Sequence, residues 1–284
     1  MKSWQRIEPL GLGVSADIGS IEPDYRSLLD GPDRIEYLNV GIHYTQIERA
    51  RHFLGSLVPE TPMVFHPLNF NTALATGEDV QVVRRTQEII EYLGAKWAGQ
   101  DIAIWMIDDV YQDAFLVPPI LDDRSVEEVS AKAVQLDALL PCPFLLENPP
   151  FAFSVESMHL LDFMGEVSMR SDTGIVLDIG HLITYQAASG RELDDIPWSR
   201  FPLERVVEVH LAGLDDGRAA TEALVTDRHD LAISEETWAI FEQLVPKMPN
   251  LRGVTLEQEF CPDALVRSHV KRAREALASH GAFA

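Results

Sequence analysis

The chain has little of several features that would assign it to common protein classes. Its 284 residues include only two cysteines, Cys142 and Cys261. No secretory signal pattern and no apolar run of membrane-spanning length is present. The two cysteines fall in different predicted elements, which favours two buried thiols over a disulfide. These features predict a cytoplasmic protein without a membrane partner.

Basic residues are also scarce. The chain has 23 Lys and Arg against 45 Asp and Glu, a formal charge of −22. Such a surface repels phosphate backbones, so we expect no nucleic-acid partner. No glycine-rich phosphate loop follows any predicted strand, which excludes the usual nucleotide and dinucleotide sites. Part of the acidity is of the kind that carboxylates contribute when they bind cations.

What the chain does contain is a repeating pattern of short apolar runs and amphipathic stretches. Hydrophobic residues make up 46% and charged residues 24% of the chain, as in globular proteins with a core. The length suits a single-domain TIM (β/α)8 barrel of the α/β class over residues 1–284, rather than an open doubly wound sheet. The eight strands are predicted at Leu10–Val14, Ile35–Val40, Met63–Pro67, Asp101–Met106, Phe144–Glu147, Gly174–Asp178, Val206–Leu211 and Gly253–Glu257.

Helical periodicity lies between these runs. Helices are predicted at Asp79–Leu93, Val126–Leu140, Ser154–Met169 and Pro262–Ala278. The segment Ile183–Pro202 shows no clear period, and we predict a long loop or a short helix over the barrel mouth there.

Metal-binding residue types recur where the predicted strands end. In a parallel barrel the active site forms at these carboxyl ends. Each residue alone has a structural explanation, since a histidine there is often only hydrogen-bonded and an aspartate often caps a helix. Together, however, they would crowd carboxylates that only cations could neutralise. The donors are His66, Glu147, Asp178, His181, His210, Asp227, His229 and Glu257.

The type and number of donors indicate which metal and how many ions. Imidazole mixed with carboxylate, without cysteine, suits zinc, iron or manganese better than copper(I) or calcium. One ion takes only roughly four to six ligands, so this many donors favours a multinuclear site.

The order of donors resembles the xylose-isomerase-like barrel superfamily, and two branches are similar. The first is the endonuclease IV type, whose three-zinc site uses the order His, His, Glu, Asp-x-x-His, His, Asp-x-His, Glu. The second is the multinuclear non-haem iron-dependent oxidase family, formerly a domain family of unknown function. The sequence around the donors resembles the second branch more. The similar segments are LLENP at 145–149, LDIGH at 177–181, EVHLAG at 208–213 and DRHD at 227–230.

Resemblance to this second family implies an oxidase with two or three iron ions (Fe2+/Fe3+) and O2 as co-substrate. The implied substrate is a ribosomally made precursor peptide, often modified at cysteine, or a related small amino-acid-like molecule in natural-product biosynthesis. A separate partner protein would deliver the precursor. The implied metal ligands are His66, Asp101, Glu147, Asp178, His181, His210, Asp227, His229 and Glu257.

The resemblance also suggests roles for some of these residues and their neighbours. Three ligands are assigned as catalytic: Glu147, Asp178 and His210. Four further residues are assigned to substrate binding: Glu36, Asn39, Asn69 and Asn148. The assignment of Glu36 and Asn39 assumes that both lie at the end of strand two, where the family places a Glu and an Asn.

The chain departs from the family pattern at two positions. Family members carry a histidine soon after strand one, where this chain has Ala16-Asp17-Ile18. They carry another in the fourth-strand motif, where this chain has Gly99-Gln100-Asp101. Asp101 is therefore expected to replace the second histidine as a carboxylate ligand.

Three alternatives compete with the iron oxidase. An endonuclease IV-like metallohydrolase needs a basic surface for phosphates, which the charge of −22 does not provide. A divalent-metal sugar isomerase or epimerase would use Glu147 and Glu257 to bridge metal and move protons, but it needs fewer donors. A non-catalytic barrel that binds a partner or a regulatory metal is suggested only by the two missing histidines. The iron oxidase is the favoured hypothesis.

Overall fold

Eight parallel strands close into a barrel in a computed structural model, which describes residues 4–18, 20, 23–31, 33–58, 60–107, 110–111, 116–215 and 224–283. Each strand pairs with its sequence neighbours, and the last pairs with the first. The predicted TIM-barrel fold is confirmed. The strands are β1 (Gly11–Asp17), β2 (Tyr37–Ile42), β3 (Met63–Pro67), β4 (Ala98–Asp101), β5 (Phe144–Glu147), β6 (Gly174–Asp178), β7 (Val206–Asp215) and β8 (Gly253–Glu257).

Strand β4 is the main error in the predicted strands. It spans Ala98–Asp101 and not Asp101–Met106, because Asp101 already pairs with Glu147 at the barrel end. Beyond it the chain turns away, and the backbone N–H of Ala103 donates to the Thr72 hydroxyl at 2.9 Å. Residue 99, which faces inward, must be small, because a Cβ on Gly99 would lie 2.8 Å from the Val176 side chain. This glycine weakens the β-strand pattern of the sequence.

Helices follow the strands around the barrel, and eight α-helices lie within the described ranges. They are α1 (Tyr25–Leu28), α2 (Ile47–Leu54), α3 (Val80–Leu93), α4 (Asp123–Leu139), α5 (Leu160–Ser171), α6 (Ile179–Ala188), α7 (Glu235–Leu244) and α8 (Asp263–Ser279). Helices α3, α4 and α8 agree with the predicted ones to within a few residues. In the described part of the chain, no helix is both long enough and apolar enough to cross a membrane.

Two predicted segments around the mouth are corrected. Helix α5 begins at Leu160, capped by His159, and not at Ser154. Before it, the backbone carbonyl of Val155 accepts the N–H of Leu121, and Glu156 forms an isolated β-bridge with Leu121. Helix α6 extends to Ala188, so the first part of the predicted loop at Ile183–Pro202 is helical; the rest contains short 3-10 turns.

The strands alternate between two cores, and this alternation places the site. One set of side chains packs outward against the helices, whereas an inner layer fills the amino end of the barrel with Trp4, Ile7, Tyr37, Val64, Trp97, Leu145, Val176 and Val207. In β3, β5 and β6 the side chain two residues further along the strand again faces inward, at the carboxyl end. Val64 is thus followed by His66, and Leu145 by Glu147. The inward positions change from apolar to metal-binding types along the barrel axis.

The apolar inner layer depends on two glycines that make room for Tyr37. A Cβ on Gly13 would lie 2.5 Å from the Tyr37 ring, and one on Gly253 would lie 2.7 Å from its hydroxyl.

The predicted state of the cysteines is also confirmed, since Cys142 and Cys261 are both free and buried.

Candidate metal centre

All nine predicted metal ligands converge at the carboxyl end of the barrel, and six of them line a cavity of about 540 Å3. His66, Glu147, His210 and Glu257 lie on strands, and Asp101 and Asp178 are the last residues of β4 and β6. His181 lies in the first turn of α6. Asp227 lies on a short strand, Thr226–Arg228, which pairs antiparallel with the end of β7. His229 follows directly.

The donors form four overlapping groups, in each of which the ligand atoms lie within 4.8 Å of one another. The groups are His66/Asp101/Glu147, Glu147/Asp178/His181, Asp178/His210/Glu257 and His181/Asp227/Glu257. Four residues belong to two groups each: Glu147, Asp178, His181 and Glu257. This sharing is the arrangement that ligands bridging neighbouring ions require.

Glu147 lies at the centre of the cluster. Its Oε1 is 3.0 Å from Nδ1 of His210, and its Oε2 is 3.6 Å from Nε2 of His66. His66 Nε2 also lies 3.3 Å from Oδ2 of Asp101. Nε2 of His66 therefore lies between the carboxylates of Asp101 and Glu147.

The opposite wall of the cluster is formed by the Asp-x-His turn. His229 Nε2 lies 2.8 Å from Oδ2 of Asp227 and 3.6 Å from Oε2 of Glu257. The same Asp227 oxygen is 3.6 Å from Nε2 of His181. Four imidazoles and five carboxylates thus line one continuous site.

Buried atoms without hydrogen-bond partners show that this site fits cations. Leaving a buried polar atom unpaired costs about 1–3 kcal/mol. Eight such atoms of the described residues lie here: both oxygens of Glu147, Asp101 Oδ1, Asp178 Oδ2, Asp227 Oδ1, Glu257 Oε2, His66 Nε2 and His210 Nδ1. Metal ions would satisfy them, and the oxygen and nitrogen donors suit iron, zinc or manganese.

The electrostatics of the metal-free site point the same way. Burial lowers the pKa of His210, but the carboxylates of Glu147 and Glu257 outweigh it and hold that pKa well above its usual value. Burial raises the pKa of the Asp178 carboxyl well above its usual range. Burial raises the pKa of the Glu257 carboxyl, but the nearby imidazoles of His210 and His229 outweigh burial and hold that pKa well below its usual value. Protons on the imidazoles therefore supply the positive charge that metal ions would replace.

Asp178 and His181 are held by the local backbone. Asp178 ends β6 and caps α6 by accepting the N–H of His181 with Oδ1, which leaves Oδ2 facing the cluster. The Asn148 amide donates to the Asp178 carbonyl at 2.7 Å and accepts the Asp178 N–H at 3.0 Å. The Asn148 backbone carbonyl lies 2.8 Å from Nδ1 of His181. The side-chain amide of Asn148, which is predicted to bind substrate, is thus bonded to the Asp178 backbone.

The other three predicted substrate residues are scattered. Asn39 lines the cavity and donates to Glu208 at 3.2 Å. Asn69 is buried beneath the mouth and donates to the Thr86 hydroxyl at 3.3 Å. Glu36 lies at the opposite end of the barrel, because it precedes β2 rather than ending it.

The partners of Glu36 fit that location. Its carboxylate accepts the Leu12 N–H at 2.8 Å and lies 2.8 Å from the Arg274 guanidinium. The predicted role of Glu36 in the site is wrong.

The sequence prediction missed two carboxylates beside the ligands. Glu208 is fully buried, and its Oε1 lies 3.2 Å from Nε2 of His210. Glu259 lies 2.8 Å from Nδ1 of His229. Both stand two residues from a predicted ligand, Glu208 before His210 and Glu259 after Glu257. The two-residue strand period could have placed Glu208 inside the barrel.

Comparisons with known proteins place the sequence in a family. The family model described as "RiPP precursor modification enzyme MbnB/TglH/ChrH" matches residues 16–278. A UPF0276 protein of Caulobacter vibrioides is 24% identical over 289 residues, with 99% of each chain covered. Another UPF0276 protein, from Rhizorhabdus wittichii, is 22% identical and covers 93% of this chain and 95% of its own.

Solved structures support the fold. A xylose isomerase-like TIM barrel protein from Mycobacterium smegmatis, solved in complex with magnesium, has a TM-score of 0.53 at 12% identity and covers 98% of this chain and 100% of its own. A xylose isomerase domain containing protein from Salmonella typhimurium has a TM-score of 0.51 at 19% identity, with 97% and 98% covered. At these identities the likeness establishes the barrel alone.

Proposed function

Because the chain belongs to the MbnB/TglH/ChrH family of RiPP precursor modification enzymes, we propose that it is a multinuclear non-haem iron oxidase acting on a ribosomally made peptide. The observation that carries the proposal is the set of four overlapping donor groups at the barrel mouth. A single ion would leave several of these buried donors unused, whereas two or three ions would use them all.

Eight of the nine proposed ligands belong to the overlapping groups, and His229 lies beside one of them. His66, Asp101 and Glu147 would hold one ion, and Asp178, His210 and Glu257 a second. Asp227 and Glu257 with His181 would hold a third, which His229 also faces. Iron, when bound, supplies the redox chemistry that activates O2. Glu147, Asp178 and His210 are proposed as the catalytic ligands because they meet at the centre of the cluster.

The cavity wall suits one residue of a larger substrate. Trp105, Leu68 and Pro150 contribute apolar surface, and His43 and Gln46 contribute polar groups. A volume of about 540 Å3 fits a drug-sized group, within the roughly 300–1,000 Å3 of small-molecule sites, but not a whole precursor. One peptide side chain, such as cysteine, or a small amino-acid-like molecule would enter. The rest of a peptide would stay outside, where a separate partner protein could hold it.

Anaerobic purification tests the metal and the reaction together. The chain would be expressed with added iron and purified without oxygen, and its iron content would be determined by mass spectrometry. We expect two to three iron ions per chain and O2 consumption that depends on a cysteine-bearing precursor peptide. A protein that holds only zinc and consumes no O2 with any candidate peptide contradicts the proposal.

Asp101 offers a sharp test of the first ion position. Asp101→Ala removes one of three proposed ligands, so affinity for one ion should fall by at least about 100-fold, more than typical second-shell changes. Asp101→His should retain that ion, because imidazole is the ligand the family uses there. Competition with a chromophoric chelator measures both effects.

Asp123→Ala is the matched control for Asp101→Ala. It removes an exposed carboxylate from α4 and should leave metal binding unchanged. Equal metal content in Asp101→Ala and the wild type would remove Asp101 from the ligand set.

A further inference from the structure

The imidazoles of the cluster present different nitrogens to it. Nε2 of His66 and of His229 faces the carboxylates of the cluster. His210 is reversed: its Nδ1 lies 3.0 Å from Glu147 and 3.3 Å from Glu257, whereas its Nε2 points down into the barrel. A neutral imidazole binds metal only through the nitrogen without hydrogen. His210 must therefore carry its proton on Nε2 to act as a ligand.

The group beneath His210 is an acceptor of the required kind. Glu208 Oε1 lies 3.2 Å from Nε2 of His210, and both residues are fully buried. Glu208 is itself fixed by donors from other strands. Trp97 Nε1 donates to its Oε2 at 2.6 Å, and the Thr255 hydroxyl donates to its Oε1 at 2.6 Å. Oε1 also accepts the Asn39 amide at 3.2 Å, and Nδ2 of Asn39 lies 3.1 Å from Nε2 of His210. One carboxylate oxygen is thus held by Trp97, and the other is shared by Thr255, Asn39 and His210.

We infer that Glu208 is a positioning residue that holds the proton of His210 on Nε2 and so directs Nδ1 to the metal. The inference rests on the proposed metal centre. Carboxylates behind metal-bound histidines fix the tautomer and ring orientation, and they raise the basicity of the ligand. Glu208 does not contact the proposed ions, because the imidazole lies between them.

The neighbours of Glu208 require a carboxylate rather than an amide. A glutamine could turn its oxygen toward Trp97, but its NH2 would then donate to Nε2 of His210 and place the imidazole proton on Nδ1. In the other orientation the NH2 would face the Trp97 N–H, so that two donors would meet in a buried space. Either arrangement disturbs the site, and the first blocks the ligand nitrogen directly.

Glu259 is the corresponding carboxylate at the mouth. Its Oε1 lies 2.8 Å from Nδ1 of His229, and its other oxygen accepts the Ser15 hydroxyl. His229 then presents Nε2 to the cluster. His181 differs, because its Nδ1 lies 2.8 Å from the Asn148 carbonyl but also 3.4 Å from Oδ1 of Asp101. Two of the four imidazoles, His210 and His229, thus have a carboxylate on the nitrogen that faces away from the cluster, and Glu208 is the fully buried carboxylate of the two.

Zinc binding by Glu208→Gln tests the inference. Zinc is the probe because it is diamagnetic and requires no oxidation state to be controlled. Titration against a competing chelator should show one ion bound about 10- to 100-fold more weakly than in the wild type. Long-range 1H–15N spectra of zinc-loaded, 15N-histidine-labelled protein should show His210 bound through Nδ1 in the wild type. In Glu208→Gln that signal should change, while the His66 signal stays.

Thr255→Val is the matched control. It removes a donor to the same oxygen of Glu208 but keeps the carboxylate beside His210. We expect it to lower the melting temperature but to keep the His210 signal and the zinc affinity. If Glu208→Gln folds and keeps both the wild-type affinity and the His210 signal, the inference is overturned. If Thr255→Val loses them equally, Glu208 acts through packing and the inference is also overturned. Failure of the wild type to bind zinc or iron would instead contradict the proposed metal centre.

Discussion

Glu147→Gln is expected to abolish turnover and to remove at least one bound metal ion. Glu147 is fully buried, and it belongs to two of the four donor groups. Glutamine keeps the size of the side chain but replaces one oxygen ligand by an NH2 group, which would point at either His66 or His210. Losing a shared ligand of a metal centre should cost several kcal/mol of transition-state stabilisation, or at least about 1,000-fold in rate.

The chain provides a matched control for this substitution. Glu36→Gln is the same chemical change at a glutamate that lies at the amino end of the barrel, paired with Arg274. We expect it to retain the full metal content and rate. Iron per chain and peptide-dependent O2 consumption would be measured for both variants, with circular dichroism to show that each is folded. A Glu147→Gln protein with wild-type metal content would show that Glu147 is not a shared ligand.

The fold was predictable because buried parallel strands have a distinctive pattern. Strands β3, β5, β6 and β8 begin and end where the apolar runs predict. Strand β4 does not, since its sequence Ala-Gly-Gln-Asp has no β-branched residue and is held in place by pairing with β5. Local composition cannot report such a tertiary constraint.

The site was predictable to the extent that ligands follow strand ends. All nine predicted metal donors converge, because the carboxyl ends of parallel strands meet on one face of a barrel. The surrounding residues were harder. Glu36 was assigned to the wrong end of β2, and Asn148 was assigned to substrate although its amide bonds the backbone of Asp178. Which partner a buried polar group finds depends on neighbouring strands that are distant in sequence.

Removal of the metal ions is expected to destabilise the protein, and to do so more strongly as the pH rises. An ion present at 100 times its dissociation constant contributes about 2.7 kcal/mol to the free energy of unfolding. For a chain of this size, that corresponds to about 5–10 °C in melting temperature for each ion. The metal-free protein should therefore melt well below the loaded one at neutral pH.

The pH dependence of the stability of the metal-free protein follows from the protonated histidines, which supply positive charge in place of the metal ions. Burial opposes protonation of His181, but Asp178 and Asp227 raise its pKa well above the usual value. His210 and His229 behave likewise, through Glu147 and Glu259 respectively. A histidine whose pKa is raised by folding stabilises the native state fully below its unfolded pKa, about 6.5. That contribution is lost as the pH rises through the higher folded pKa.

Two carboxyl groups act in the same direction. Burial raises the pKa of Asp178 and of Glu147, so their ionisation at higher pH also weakens the metal-free fold. Asp227 has the opposite shift, because His229 and His181 outweigh burial and lower its pKa to about 2. Its contribution is present above its unfolded pKa, near 3.9, and is lost only as the pH falls toward 2. Above the unfolded histidine pKa of about 6.5, the groups with raised pKa values therefore dominate the pH dependence.

Melting curves of loaded and metal-free protein at pH 6, 7, 8 and 9 would measure this effect. The metal-free sample should be prepared with a chelator that is then dialysed away, so that chelator strength does not vary with pH. The difference in melting temperature should widen with each step, because bound ions keep their ligands deprotonated at every pH. A difference that stays constant or narrows would show that protonated imidazoles do not balance the buried carboxylates. In Glu147→Gln the difference should be smaller at every pH, since the variant retains fewer ions to remove.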